Sequence, residues 1–208
     1  MMLSMDFGLE YWQRDILIQK YQYIQYANLF DQNMEENSFD YIILQDTLHH
    51  IEPLDEALPI FRRVLKPDGK LILIEENGGC WIKSAMLFAQ RGNKRVISMY
   101  DDTLKKEVLM GNENIRPEKL WRKHFEKAGF QMDENSLQYI RFLPSPCFNE
   151  KKLQKNIEKE QKIWKKSAFL RRHAFWGINM VFVKGRWKTM IRWGDEKNRG
   201  ILKGQEYK

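Results

Sequence analysis

The sequence predicts an α/β fold with a mostly parallel sheet, and three observations between residues 37 and 77 carry that prediction. Residues 41–44, YIIL, are a short apolar run with β-branched content, the pattern of a buried strand. Leu54, Leu58, Phe61 and Leu65 recur at spacings of four, three and four, the stripe of an amphipathic helix, with Pro53 near its first turn where a missing N–H costs nothing. Residues 70–74, KLILI, read as a second strand, set off from the helix by a predicted turn at Lys66-Pro67-Asp68-Gly69. Strand, helix and strand make a βαβ unit, so the two strands are parallel and their carboxyl ends share the sheet edge where open α/β folds bind ligands. Gln45, Asp46, Thr47, Leu48, His49 and His50 arrive there after the first strand, and Glu75, Glu76, Asn77, Gly78 and Gly79 after the second.

Upstream of this unit, residues 1–5 form an apolar stub followed by Asp6. Helix-compatible spacing follows at Leu9, Trp12, Ile16 and Tyr23, then a strand over 23–27 and a polar loop over 28–37. Downstream, residues 81–90 read as a helix with Ile82, Ala85, Met86 and Ala89 on its apolar face, followed by a basic interval at 91–95. Residues 117–129 read as another helix, with Leu120, Trp121, Phe125 and Ala128 facing inward and Gly129 in the position that ends helices. Phe130 and the run Leu137, Tyr139, Ile140 and Phe142 fit a strand, broken at Pro144 and Pro146. Residues 178–183 supply a last strand, and residues 187–208 a polar, basic tail expected to fray.

Composition bounds the function. The chain has 208 residues, 43% hydrophobic and 30% charged, which suits one soluble folded domain over residues 1–186 with an appendage. Among its apolar runs none approaches the roughly 18 residues that span a bilayer, and the opening lacks a secretory signal pattern, so a cytoplasmic location is expected. Cys80 and Cys147 show neither CxxC spacing nor a neighbouring His cluster, so neither a metal site nor a disulfide framework is expected; Cys80 reads as a spectator. Nine Lys and Arg residues between 151 and 172 stand against Glu158 and Glu160, a local excess equal to the +7 of the whole chain. Leu153, Ile157, Trp164 and Ala168 make this stretch an amphipathic helix over about 150–173, read as the solvated face of a packed helix; nucleic acid is an unlikely partner.

The combination of FD, an apolar strand, an LHH turn, a helix ending in RVLKPDG and a strand closing in acidic residues resembles the class I methyltransferases that use S-adenosylmethionine, particularly their small-molecule branch. The resemblance is specific over residues 5–77 and looser over 111–186, where FEKAGF resembles the family's entry into its sixth strand. It implies a Rossmann-like sheet, mostly parallel, with an antiparallel C-terminal hairpin. It also implies that residues 1–5 are the tail of the family's second strand, Asp6 the ribose ligand, Asn28 and the Leu29 N–H the adenine contacts, and Gln45 a neighbour of the methionine portion. His49 or His50 would orient or deprotonate the acceptor, with Asp46 as alternative base, and residues 78–116 would form a substrate lid. No G-x-G occurs, so the family's first strand and Gly-rich loop lack a counterpart and the sequence resembles a member truncated at its amino end. The expected function is methyl transfer to a small-molecule acceptor; the alternatives are a non-catalytic remnant pairing with another chain through an exposed sheet edge, and a basic nucleic-acid or membrane-surface binder.

Overall fold

The computed structural model describes the backbone of residues 2–5 together with residues 27–142 and 152–185. Asp6, the helix expected within 9–24, all but the last residue of the strand expected at 23–27, Cys147 and the tail at 187–208 lie outside the described residues. The βαβ unit forms as the apolar pattern requires. Strand β2 (Phe39–Gln45) leads through helix α1 (Leu54–Val64) into β3 (Leu65–Glu76), and β2 and β3 are parallel, with Ile42 opposite Leu71 and Leu44 opposite Leu73. Helix α1 buries Leu54, Leu58 and Phe61, three of the four residues its periodicity nominated; the fourth, Leu65, is buried as the first residue of β3, and Pro53 is the helix N-cap. The turn expected at Lys66-Pro67-Asp68-Gly69 is not a separate loop. The chain enters β3 directly at Leu65, opposite Phe39, and a bulge between Phe39 and Tyr41 absorbs the extra residues.

Strand β1 (Met2–Met5) pairs directly and in parallel with β2, Met2 opposite Tyr41 and Met5 opposite Leu44. Past β3 come helix α2 (Trp81–Arg91), a two-stranded antiparallel hairpin of β4 (Val96–Asp101) and β5 (Lys106–Gly111), and helix α3 (Glu118–Lys127). Gly129, at φ +83, ends α3 as expected. Short strands β6 (Phe130–Met132) and β7 (Gln138–Ile140) both pair antiparallel with the long β8 (Gly177–Lys184), which runs antiparallel beside β3. The main sheet therefore runs β1-β2-β3-β8-β6. The basic segment is two helices, α4 (Leu153–Lys166) and α5 (Ala168–Ala174), separated at Ser167, whose side chain accepts from the Leu170 N–H.

The pleat divides the sheet. Ile42, Leu44, Leu71, Leu73, Ile178, Met180 and Phe182 point to one face and are buried against α1 and α3, where Trp121 and Phe125 complete the core. Phe125 stacks flat on Phe182, ring centroids 3.8 Å apart. The other face carries Tyr41, Ile43, Gln45, Lys70, Ile72 and Ile74, none of them buried. Helix α2 departs from its expected face: Leu87 is buried, while Ile82 and Met86 are 63% and 48% exposed.

Truncating Phe182 to Ala removes the stack on Phe125 and leaves a void among fully buried neighbours. The expected cost is about 3–5 kcal/mol, read as a lower urea midpoint at unchanged m-value. Tyr41→Ala, at a half-exposed position, should cost less than about 1 kcal/mol in the same assay.

A candidate active site at the carboxyl edge of the sheet

A carboxylate occupies the hinge between β2 and β3. Glu75 follows Leu71 and Leu73 on the core face and is fully buried. A buried charge is costly unless hydrogen bonds surround it, and here the first turn after β2 supplies them. Glu75 Oε1 accepts from the backbone N–H groups of Thr47, Leu48 and His49 at 3.0, 2.5 and 3.3 Å. Its Oε2 accepts from His49 Nδ1 at 2.5 Å and from the Glu76 N–H at 3.3 Å. The orphan N–H groups of the short 3₁₀ turn Leu48–His50 are thus satisfied by an anion. Because a carboxylate only accepts, His49 must carry its proton on Nδ1, leaving Nε2 as the lone-pair nitrogen of the neutral ring.

The segment between β5 and α3 closes over this turn. The Gly111 carbonyl lies 3.1 Å from His50 Nδ1, and the Asn114 N–H donates to the His49 carbonyl at 3.1 Å. Gly111 has to be glycine: a Cβ there would stand 2.0 Å from the His49 oxygen. Glu113, between these anchors, faces both imidazoles, its carboxylate oxygens 3.7 Å from His49 Nε2 and 3.7 Å from His50 Nε2. Behind it a buried pair holds the frame: Arg116 donates to Glu52 Oε1 at 2.6 Å, as does the Asn114 amide at 2.7 Å.

The opposite face of the same edge is polar. Gln45, Ile74 and Asn179 stand side by side across β2, β3 and β8, with Glu76 one step further along. Arg141 donates to Asp46 Oδ1 at 3.2 Å, and Lys83 pairs with Glu76. Burial pushes the Lys83 ammonium below its ordinary pKa, Arg141 acts in the same direction, and Glu113, Asp46 and Glu75 oppose it. Glu76 Oε2, Arg141 Nε and Asn179 Oδ1 are buried without a hydrogen-bond partner among the described residues. Asp46, Glu113 and Arg141 adopt φ of +44, +52 and +64, a backbone region that costs non-glycine residues energy and gathers at functional sites.

The sequence-nominated residues divide in the structure. His49, His50 and Asp46 converge on one turn, although Asp46 turns toward Arg141 and the imidazoles toward Glu113. Gln45 is exposed at the strand end. Asn28 caps a 3₁₀ turn at Leu29–Asp31, its Oδ1 accepting from the Phe30 N–H at 2.9 Å, and Leu29 is buried. Cys80 is fully buried at the N-cap of α2. Sequence reasoning missed Glu75, Glu113, Lys83 and Arg141 as site residues. The alternation Leu71, Leu73, Glu75 already marked Glu75 as a core-facing acid.

Comparison with known proteins now bears on this geometry. Residues 8–73 match the family model described as a methyltransferase domain. The fold is shared with an S-adenosylmethionine-dependent methyltransferase from Thermotoga maritima, at TM-score 0.51 and 13% identity over 84% of this chain and 70% of that one. Residues 8–73 thus resemble a methyltransferase domain, and the chain has the fold of the class I S-adenosylmethionine-dependent methyltransferases. A Listeria monocytogenes protein assigned as such a methyltransferase gives TM-score 0.52 at 13% identity, covering 89% of this chain and 79% of that one. Among curated sequences, a polyketide synthase-nonribosomal peptide synthetase of Pyricularia grisea is 30% identical over 116 residues, and one of Pyricularia oryzae 42% over 48 residues. The chain spans 3% and 1% of those two proteins' lengths, and the matches cover 56% and 23% of it.

Glu75→Gln tests the hinge. The amide presents a donor where His49 Nδ1–H or the backbone N–H groups need an acceptor, costing about 1–3 kcal/mol for each donor left unpaired. Urea unfolding should show the loss, amide exchange at Thr47, Leu48 and His49 should quicken together, and imidazole 15N shifts should report a changed His49 tautomer.

Proposed function

We propose that this chain transfers a methyl group from S-adenosylmethionine to a small-molecule acceptor bound between the sheet edge and residues 78–116. The observation that carries the reading is the polar row at the carboxyl ends of β2, β3 and β8, with two acceptors, Glu76 Oε2 and Asn179 Oδ1, and one donor, Arg141 Nε, buried without protein partners among the described residues. Unmatched buried polar atoms of both kinds suit a zwitterion, the acceptors an ammonium and the guanidinium a carboxylate. The residues therefore fit the amino-acid end of the cofactor, and the carboxylates of Asp46 and Glu76 favour its positive sulfonium. S-adenosylmethionine supplies, when bound, a methyl group on a cationic sulfur that leaves by in-line displacement.

The chain's own residues take the remaining roles. Gln45, exposed at the end of β2, lies against the methionine portion. Asn28, whose Oδ1 has a second lone pair beyond the one its cap uses, and the Leu29 N–H receive the adenine; Asp6 takes the ribose hydroxyls. His49 removes a proton from an acceptor hydroxyl or amine through Nε2, its tautomer set by Glu75, and His50 orients the same group. Asp46 is the alternative base, at the expense of its bond to Arg141. Segment 78–116, pinned to the His49 turn at Gly111 and Asn114, excludes water from the transfer.

Isothermal titration of S-adenosylmethionine into the folded chain is the direct test. Saturable heat is expected, with affinity about 5–30-fold weaker in Gln45→Ala, the loss of one or two hydrogen bonds. A folded sample that gives no heat at millimolar cofactor would overturn the reading.

A further inference from the structure

The geometry points to a divalent transition-metal site formed by His49, His50 and Glu113, which we propose as a second use of this cluster: a bound ion takes the His49 Nε2 lone pair, and the base role then passes to Asp46. One ligand atom from each residue lies within 4.8 Å of the others, and Glu113 faces the two rings with different oxygens, Oε2 at 3.7 Å from His49 Nε2 and Oε1 at 3.7 Å from His50 Nε2. Both rings are held so that these atoms are the coordinating ones. His49 Nδ1 donates to the Glu75 carboxylate and His50 Nδ1 to the Gly111 carbonyl. Neither partner can donate, so in each neutral ring the Nε2 lone pair is turned toward Glu113. A carboxylate behind one imidazole and a backbone carbonyl behind the other are the outer partners that metal-ligating histidines ordinarily have.

Distances favour zinc-like coordination. With zinc bound at about 2.0–2.1 Å, tetrahedral geometry sets neighbouring donors about 3.3 Å apart, so the 3.7 Å His–Glu distances close by a few tenths of an ångström and the widest spacing of the triad, within 4.8 Å, closes further by side-chain rotation. Two imidazoles and a carboxylate suit Zn²⁺, Co²⁺ or Ni²⁺ better than the oxygen-seeking Mg²⁺ or Ca²⁺. Three protein donors leave one position open, as in sites whose metal meets water or a ligand. Adjacent histidines sit on a turn fixed by Glu75, and Glu113 is presented at φ +52 between Gly111 and Asn114, which both touch His49. An ion here would clip residues 78–116 to the exit of β2.

The experiment uses the full chain after chelator treatment, with Co²⁺ as spectroscopic probe and Zn²⁺ as competitor, and with S-adenosylmethionine absent. One equivalent of Co²⁺ is expected, with the ligand-field absorption of a four- or five-coordinate N/O site, displaced by Zn²⁺, and Zn²⁺ should raise the melting temperature. Glu113→Gln, at a partly exposed position, and His50→Gln should each weaken binding by at least the 10–100-fold that loss of an outer partner costs, with unchanged circular dichroism. Absence of the absorption in a folded sample, thiolate charge-transfer bands assigning the ion to cysteine, or affinity retained in both variants would overturn the site. Because no cofactor is present, each of these outcomes leaves the methyl-transfer reading standing, and a failed cofactor titration leaves this one standing.

Discussion

The buried carboxylate of Glu75 is the constraint on which the rest of the site depends. An ionised carboxyl group cannot lie inside a protein without donors around it, and this one takes the first N–H groups after β2 together with an imidazole. That requirement fixes the path of the chain at the sheet edge. The turn at 47–49 must wrap around an oxygen delivered by the neighbouring strand, so the exit of β2 and the end of β3 are tied by a side chain in addition to the ladder. Removing the acid while keeping the turn would strand several donors at once, which costs far more than any single hydrogen bond contributes.

Consecutive residues then do opposite work because the pleat alternates. Glu75 points into the core and is consumed by structure. Glu76 points to the other face, meets Lys83 and keeps one oxygen unmatched. The same alternation puts Leu44 in the core and Gln45 at the edge. A single register therefore sorts the acids and amides at the strand ends into those that hold the turn and those that stand on the opposite, polar face. A one-residue slip would exchange the two sets and destroy both.

This logic also explains what could be read in advance. Periodicity located α1, β2, β3, α3 and β8, because burial on one face imposes a pattern that the residues themselves display: Leu54, Leu58 and Phe61 are buried, as are Trp121 and Phe125. The LHH turn and Gln45 were legible because they follow directly from where an apolar run stops. Helix α2 was misread on its face, since its Ile82 and Met86 point outward and burial there is decided by what packs nearby. The hairpin β4–β5 was read only as part of the 78–116 lid: its residues Val96, Met99, Tyr100 and Leu109 are exposed, and of its positions only Gly111 is buried, so no core-facing apolar row marks it. Glu113 was illegible for a different reason. It lies more than 60 residues from the histidines it faces, and nothing local announces a contact made by chain folding. The expected turn at 66–69 failed because a Pro-Asp-Gly signal was absorbed by pairing along Phe39 and Leu65, tertiary context overriding local turn preference.

Backbone strain gives the last step. Asp46, Glu113 and Arg141 come from three separate segments, yet all three take positive φ around the same turn. Asp tolerates that conformation through its short polar side chain; Glu and Arg gain no such relief. Each costs of order 1–3 kcal/mol and persists only when its surroundings over-determine it. For Glu113 the determinants are the close approach of Gly111 to His49, the Asn114 bond to the same carbonyl, and the Glu52–Arg116–Asn114 cluster behind it. A segment serving only to connect β5 to α3 could relax by a small shift of the chain. That this one does not, and that its strained residue presents a carboxylate to two imidazoles with fixed tautomers, is the pattern of a site whose geometry is maintained at the expense of local stability.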